Sequence, residues 1–175
     1  MDIAISALRP EDVGPVVALA RLVWQRTYPG IISQEQIDFM LEQRYNPQRL
    51  REELATPGIW WDQIRVDGQL VGFASALTTA AGEMKLDKLY VAPQHQRSGL
   101  GARLLERVVE HALANGCRTL ILAVNKRNEQ AIAAYRKHGF GIRESVCVDI
   151  GGGFVMDDFI MAKPLVAPPP EARQQ

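Results

Sequence analysis

The sequence has little cysteine, no long apolar run and no excess of either charge. Its two cysteines, Cys117 and Cys147, are too few and too far apart for a disulfide framework or a zinc knuckle. Both sit in apolar runs, which predicts buried, reduced thiols. The three histidines, His95, His111 and His138, show no metal-ligand spacing, so no metal is expected and each is assigned a surface or helix-end place. No stretch approaches the length of a bilayer span, and the start, MDIAISALRPED, lacks the charged beginning and apolar core of a secretory signal. A soluble, cytoplasmic protein is the expectation. Lys and Arg together number 20, as do Asp and Glu, with no run of one sign, so no footprint for a nucleic-acid backbone exists and any anion site must be local.

What the chain does have is enough apolar residues, 47% of 175, for one compact domain with a real core, placed at residues 1–165. The Pro-rich stretch 166–175 reads as a flexible tail. MDIAISALR alternates as a strand. Pro10 opens a helix whose apolar positions Val13, Val16, Val17, Ala20, Val23 and Trp24 recur at helical spacing and which ends near Pro29-Gly30. Ser33 and Gln36 form a capping-box signature before Ile37, Met40 and Leu41. Asn46-Pro47 begins a third helical piece over 47–55.

From Trp60 the rhythm changes. WWDQIRV and QLVGFASAL flank Asp67-Gly68, a tight hairpin turn, and MKLDKLYVA is a further strand stopped by Pro93. A helix follows from Gly99 to Asn115-Gly116, with Leu100, Leu104, Val108 and Ala112 on one stripe. TLILAV reads as a strand buried on both faces, Asn128 caps a helix reaching His138, and two strands around Gly151-Gly152-Gly153 close the chain. That order predicts an α/β mixed sheet with helices on both faces and a parallel strand–helix–strand unit at 84–124.

The segment Gln96-Arg97-Ser98-Gly99-Leu100-Gly101 stands at the mouth of a helix, where unpaired backbone amides and the helix dipole favour an anion. A P-loop would need Lys-Ser/Thr where Ala102-Arg103 stand, and a dinucleotide fingerprint would need a third glycine where Leu104 stands. Neither fits.

Together, YVAPQHQRSGLGARLLERVVEHALANG and NKRNEQAIAAYRKHGF resemble the two signature segments of the GNAT superfamily of N-acetyltransferases. Gln96, Gly99 and Gly101 carry the first likeness; Asn128, Ala131, Tyr135, Gly139 and Phe140 carry the second. The resemblance implies a mostly antiparallel sheet with one splayed parallel pair, and acetyl-CoA as cosubstrate. It implies a pyrophosphate cradle from Gln96, Arg97, Ser98, Gly99, Leu100 and Gly101, and a pantetheine arm lying along Leu89, Tyr90 and Val91. The Val91 N–H would polarise the thioester carbonyl, Asn128 and Ala131 would contact coenzyme A, and Tyr135 would protonate the departing thiolate. Some members place a glutamate on the strand before the loop; Lys85 stands there, leaving Glu83 and Asp87 as the candidate bases. Ala123 occupies a position where the ribosomal-protein alanine acetyltransferases carry glutamate, a departure from that group.

The N-terminal half is similar to the branch containing PaiA-type polyamine N-acetyltransferases. Trp24, Tyr28 and Tyr45 are therefore candidate walls of an acceptor pocket, with Glu35, Asp38 or Glu42 to attract a cation. The expected activity is acetyl transfer to a primary amine of a small molecule, such as a polyamine, or of a protein. The alternative is a noncatalytic acyl-CoA-binding module. A homodimer through an edge strand or the 151–165 hairpin is also compatible with the family.

Overall fold

In a computed structural model of the protein, residues 1–166 are described. Apart from Val166, the expected flexible tail at 166–175 lies outside the described residues. The elements in chain order are β1 (Ile3–Ala7), α1 (Val13–Thr27), α2 (Gln34–Arg44), α3 (Pro47–Leu54), β2 (Ile59–Val66), β3 (Gln69–Ala80), β4 (Glu83–Val91), α4 (Leu100–Ala114), β5 (Thr119–Asn125), α5 (Glu129–Lys137), β6 (Gly141–Gly151) and β7 (Phe154–Pro164). The strands form one seven-stranded sheet in the order β1-β2-β3-β4-β5-β7-β6, antiparallel except for β4 beside β5.

Local chemistry accounts for most boundaries. Asp67 and Gly68 both take positive φ, 50° and 82°, as the two-residue turn between β2 and β3 requires. Ser33 caps α2 by accepting from the Gln36 N–H at 3.1 Å, but the other half of the capping box is not made. The Gln36 side chain instead donates to the Val155 carbonyl at 2.8 Å, tying α2 to the last hairpin. Asn46 caps α3 through the Arg49 N–H, with Pro47 in the first turn.

Two helical layers cover opposite faces of the sheet. On β3, Phe73 meets the rings of Tyr45, Trp61 and Tyr90, so odd positions face the α1–α3 side. Gly72 faces α4. A Cβ there would lie 2.9 Å from both Ile64 Cγ2 and the Tyr90 carbonyl, and 3.3 Å from Leu104 Cδ1, so glycine is what lets α4 settle onto the sheet. Leu100, Leu104, Leu105, Val108 and Ala112 are all buried there, as the stripe predicts. At the far end of α4, His111 Nε2 lies 2.7 Å from the buried Asp62 carboxylate and its ring stacks on Trp60. This histidine at the helix end is a packing residue of the α4–β2 seam.

Two expectations about burial fail for one reason each. Cys117 is buried but Cys147 is exposed, because β6 is the edge of the sheet and most of its residues face solvent. TLILAV is not buried throughout: Ala123 is exposed, since β5 has parted from β4 by that point. The parting is abrupt. The parallel pair is joined only through Glu83–Lys85 and Thr119–Ile121. Just beyond, the β3–β4 register shifts, with Ser75 opposite Lys88 but Ala76 opposite Leu86. Asp87 is thus an extra residue, a bulge that bends β4 where it leaves β5.

Leu104 is fully buried between α4 and the sheet. Leu104→Ala is expected to cost about 2–5 kcal/mol, read as a lower midpoint in urea unfolding at unchanged slope.

Candidate active site

The separation of β4 from β5 opens a slot, and the strand register aims backbone groups into it. The Ala92 N–H bonds to the Val71 carbonyl at 2.7 Å, after which Pro93 has no N–H with which to continue the ladder. Bonded and non-bonded pairs alternate along an antiparallel ladder. Val91 opposite Gly72, and Leu89 opposite Ala74, are therefore the non-bonded pairs. Their N–H and C=O groups point away from β3, into the gap. The Val91 carbonyl is taken by Gln96 Nε2 at 3.0 Å, while its N–H faces the slot.

One end of the slot meets the glycine loop. Arg97 has φ of 62° and Gly99 φ of 81°, two left-handed residues that turn the backbone into α4. Ser98 Oγ hydrogen-bonds the His95 carbonyl and holds the turn closed. A side chain at Gly99 would be strained by that φ, although beyond its two chain neighbours no atom of the described residues lies within 4 Å of its Cβ position. At Gly101 the nearest atom is Val91 Cγ2 at 3.9 Å. The space in front of both glycines is open and lies at the first-turn amides of α4, where helix geometry favours an anion. A cavity of about 370 Å³ beside it is bordered by Leu89, Val91, Arg97, Gly99, Gly101 and Tyr135. Leu100 does not border it: its side chain is buried beneath α4, so only its backbone could serve. Ser98 borders neither this cavity nor its neighbour.

The opposite wall is α5. Asn128 Oδ1 accepts from the Ala131 N–H at 3.3 Å and so caps the helix. Ala131 and Ala134 keep that face low, and Tyr135, its ring edge against Phe140 at 5.5 Å between centroids, reaches both cavities. Burial pushes the Tyr135 phenol well above its ordinary range, so it holds its proton at any physiological pH.

Beyond Tyr135 a second cavity of about 270 Å³ runs between the separated strands toward α1 and α2. Tyr90 lies here, its hydroxyl 2.9 Å from that of Tyr28. Trp24 and Tyr28 line the cavity as expected, whereas Tyr45 is packed behind them in the core, 5.9 Å from Trp24. Glu35, Asp38 and Glu42 sit on the exposed face of α2 and do not border the cavity; Asp38 accepts from Gln25 and Gln34 instead.

The two candidate bases are not brought together with Val91. Glu83 forms an ion pair with Arg143 at 2.8 Å and lies eight residues from Val91, roughly 25 Å along the strand. Asp87 does face the cavity, but it is surrounded by cations: Lys88 Nζ at 2.5 Å, Arg44 Nη2 at 3.4 Å and Lys85 Nζ at 4.0 Å. Burial alone would raise its carboxyl; Lys88 and Arg44 overcome that and hold it at about 2, too acidic for an efficient proton acceptor. Lys88 is itself 3% exposed. In sequence it continues the alternation of buried Met84 and Leu86, a signal, legible in EMKLDKLYV, that a buried counter-charge must be near; the bulge at Asp87 turns it to the other face, over the rings of Tyr45 and Trp61. Arg44 and Asp158, both in the cavity wall, have no comparable signal.

The chain matches the acetyltransferase (GNAT) family over residues 18–140, and it belongs to that family. Among its relatives, the spermidine N(1)-acetyltransferase of Thermoplasma acidophilum is 27% identical over 161 residues, 90% of this chain and 97% of the relative. An uncharacterized N-acetyltransferase of Mycobacterium tuberculosis is 27% identical over 155 residues, 89% of this chain and 99% of that one. In three dimensions, the PaiA N-acetyltransferase of Thermoplasma acidophilum, solved in complex with coenzyme A, matches with a TM-score of 0.82 at 28% identity, covering 94% of this chain and 99% of that one. The protein is thus an N-acetyltransferase of the GNAT fold.

Two outcomes test the site's construction. Gly99→Val is expected to weaken coenzyme A binding at least tenfold in calorimetry while circular dichroism stays unchanged. Asp87→Ala leaves Lys88 buried without a counter-charge and is expected to cost about 3–5 kcal/mol in urea unfolding, much of it recovered when Lys88→Met is added. Because the folded state lowers the Asp87 pKa, its contribution is present above pH 3.8 and is lost as pH falls toward about 2.

Proposed function

We propose that the protein transfers the acetyl group of acetyl-CoA to a primary amine of a small molecule by direct attack on the thioester. The observation that carries this reading is that three features border one cavity: the open space at Gly99 and Gly101, Val91, whose N–H the strand register turns away from β3, and Tyr135. The cradle binds diphosphate and Arg97 adds charge at its rim. Leu89 and Val91 present backbone groups with which a peptide-like arm pairs as an added strand. The Val91 N–H stabilises negative charge growing on the thioester oxygen, a preorganised donor that needs no reorganisation. Tyr135, kept protonated by burial, supplies the proton that the departing thiolate takes.

The small-molecule reading is supported by the size of the cavity beyond Tyr135 and by the Thermoplasma relative, which is named for spermidine. Coenzyme A release with a panel of amines, spermidine among them, tests it. At least one amine is expected to raise release well above spontaneous hydrolysis. Tyr135→Phe is expected to lower that rate about 100-fold with coenzyme A affinity unchanged. Binding of acetyl-CoA without acceleration by any amine would instead make the chain an acyl-CoA-binding module.

A further inference from the structure

Five charged side chains line the cavity beyond Tyr135, and four of them already answer one another. Arg44, Lys85 and Lys88 all converge on Asp87, so three cations share one carboxylate. The fifth is Asp158 on β7. It stands opposite Asn125 at the end of β5, is 4% exposed, and its Oδ1 is buried with no hydrogen-bond partner among the described residues. A buried carboxylate oxygen without a donor is costly, and at a cavity wall it marks a place where a ligand supplies the donor.

The groups around Asp158 do not fill that role. Arg44 faces it from α2 and Lys85 from β4, but both are engaged by Asp87; Lys126, beyond β5, is engaged by Asp157 at 2.7 Å. Tyr28 faces it from α1 with its hydroxyl on Tyr90. Burial raises the Asp158 carboxyl above the ordinary carboxylate range, the opposite of Asp87 and the direction that suits a proton acceptor.

The same inventory limits the ligand. One ammonium is matched by Asp158. A second cation would meet Arg44, Lys85 or Lys88 with no further uncommitted carboxylate among the residues lining the cavity. We propose that the acceptor is an amine with a single cationic group, and that Asp158 receives its ammonium and takes its proton. The assignment rests on the acetyl transfer proposed above. The ammonium gives one proton to the Asp158 carboxylate, from which it passes to solvent, and the neutral nitrogen forms its bond to the thioester carbonyl carbon. As the C–S bond breaks, sulfur takes the Tyr135 proton, and the proton lost from the new amide nitrogen restores Tyr135. The balance is one amide, one thiol and one proton released.

The test uses three acceptors of equal length: hexylamine, 6-aminohexanoate, whose far end is anionic, and 1,6-diaminohexane, whose far end is cationic. Hexylamine and 6-aminohexanoate are each expected to exceed the diamine at least tenfold in kcat/KM. Asp158→Asn is expected to lower kcat/KM about 100-fold and to abolish the acidic limb of its pH profile, where activity falls as Asp158 protonates, with coenzyme A affinity and the unfolding midpoint retained. A diamine or spermidine equal to or better than hexylamine overturns the proposal. So does an Asp158→Asn enzyme that keeps both rate and acidic limb. If amines are acetylated but either of these results appears, only this assignment falls; if no amine is acetylated, it falls together with the transferase reading.

Discussion

β4 and β5 share three rungs of parallel pairing and then part, and the chemistry of this protein depends on that parting. A sheet interior normally leaves no backbone group free. Here the antiparallel bonds to β3 continue to Ala92, so β4 stays rigid while its other edge is bare. The result is an edge of backbone groups fixed in place but not paired with another strand; side chains take some of its carbonyls, Gln96 that of Val91 and Arg44 that of Asp87. Such groups are well suited to hold a peptide-like arm and a developing oxyanion, because their orientation is set before the ligand arrives.

The bulge at Asp87 and the cation cluster around it belong to the same event. An extra residue bends β4 away from β5 and turns a carboxylate toward Lys88, Arg44 and Lys85. A lysine as buried as Lys88 is tolerable only with that partner. The pair costs the protein a candidate base, since a carboxylate held at about 2 is occupied with its neighbours. Asp158, one strand beyond β5, is left as the carboxylate with no ion pair of its own, since Arg44 and Lys85 face it but are engaged by Asp87.

Much of this was legible in a line of letters. The hairpin at Asp67-Gly68, the caps at Ser33, Asn46 and Asn128, and the stripe of α4 rest on residues within four positions of each other, and all appear where their spacing places them. The glycine loop and the α5 segment were legible too, as two separate motifs, and the structure sets Gly101 and Tyr135 on one cavity. Cys147, Ala123 and the second half of the α2 capping box were misjudged because each depends on a distant strand: which strand is at the edge, where β5 leaves β4, and that Val155 draws the Gln36 side chain away.

The sequence by itself therefore determined the elements, their order and the two motifs that border the slot, since helix periodicity, turn glycines and caps are written in neighbouring residues. Only the tertiary structure decided which carboxylates are committed to ion pairs. Glu83 and Asp87 look equivalent two residues either side of Lys85, but one is paired with Arg143 of the edge strand and the other, beside its neighbour Lys88, with Arg44 of α2, and Asp158 comes 71 residues after Asp87. Whether a carboxylate is committed or free depends on the charges that folding brings to it from other strands and helices, and no local pattern carries that information.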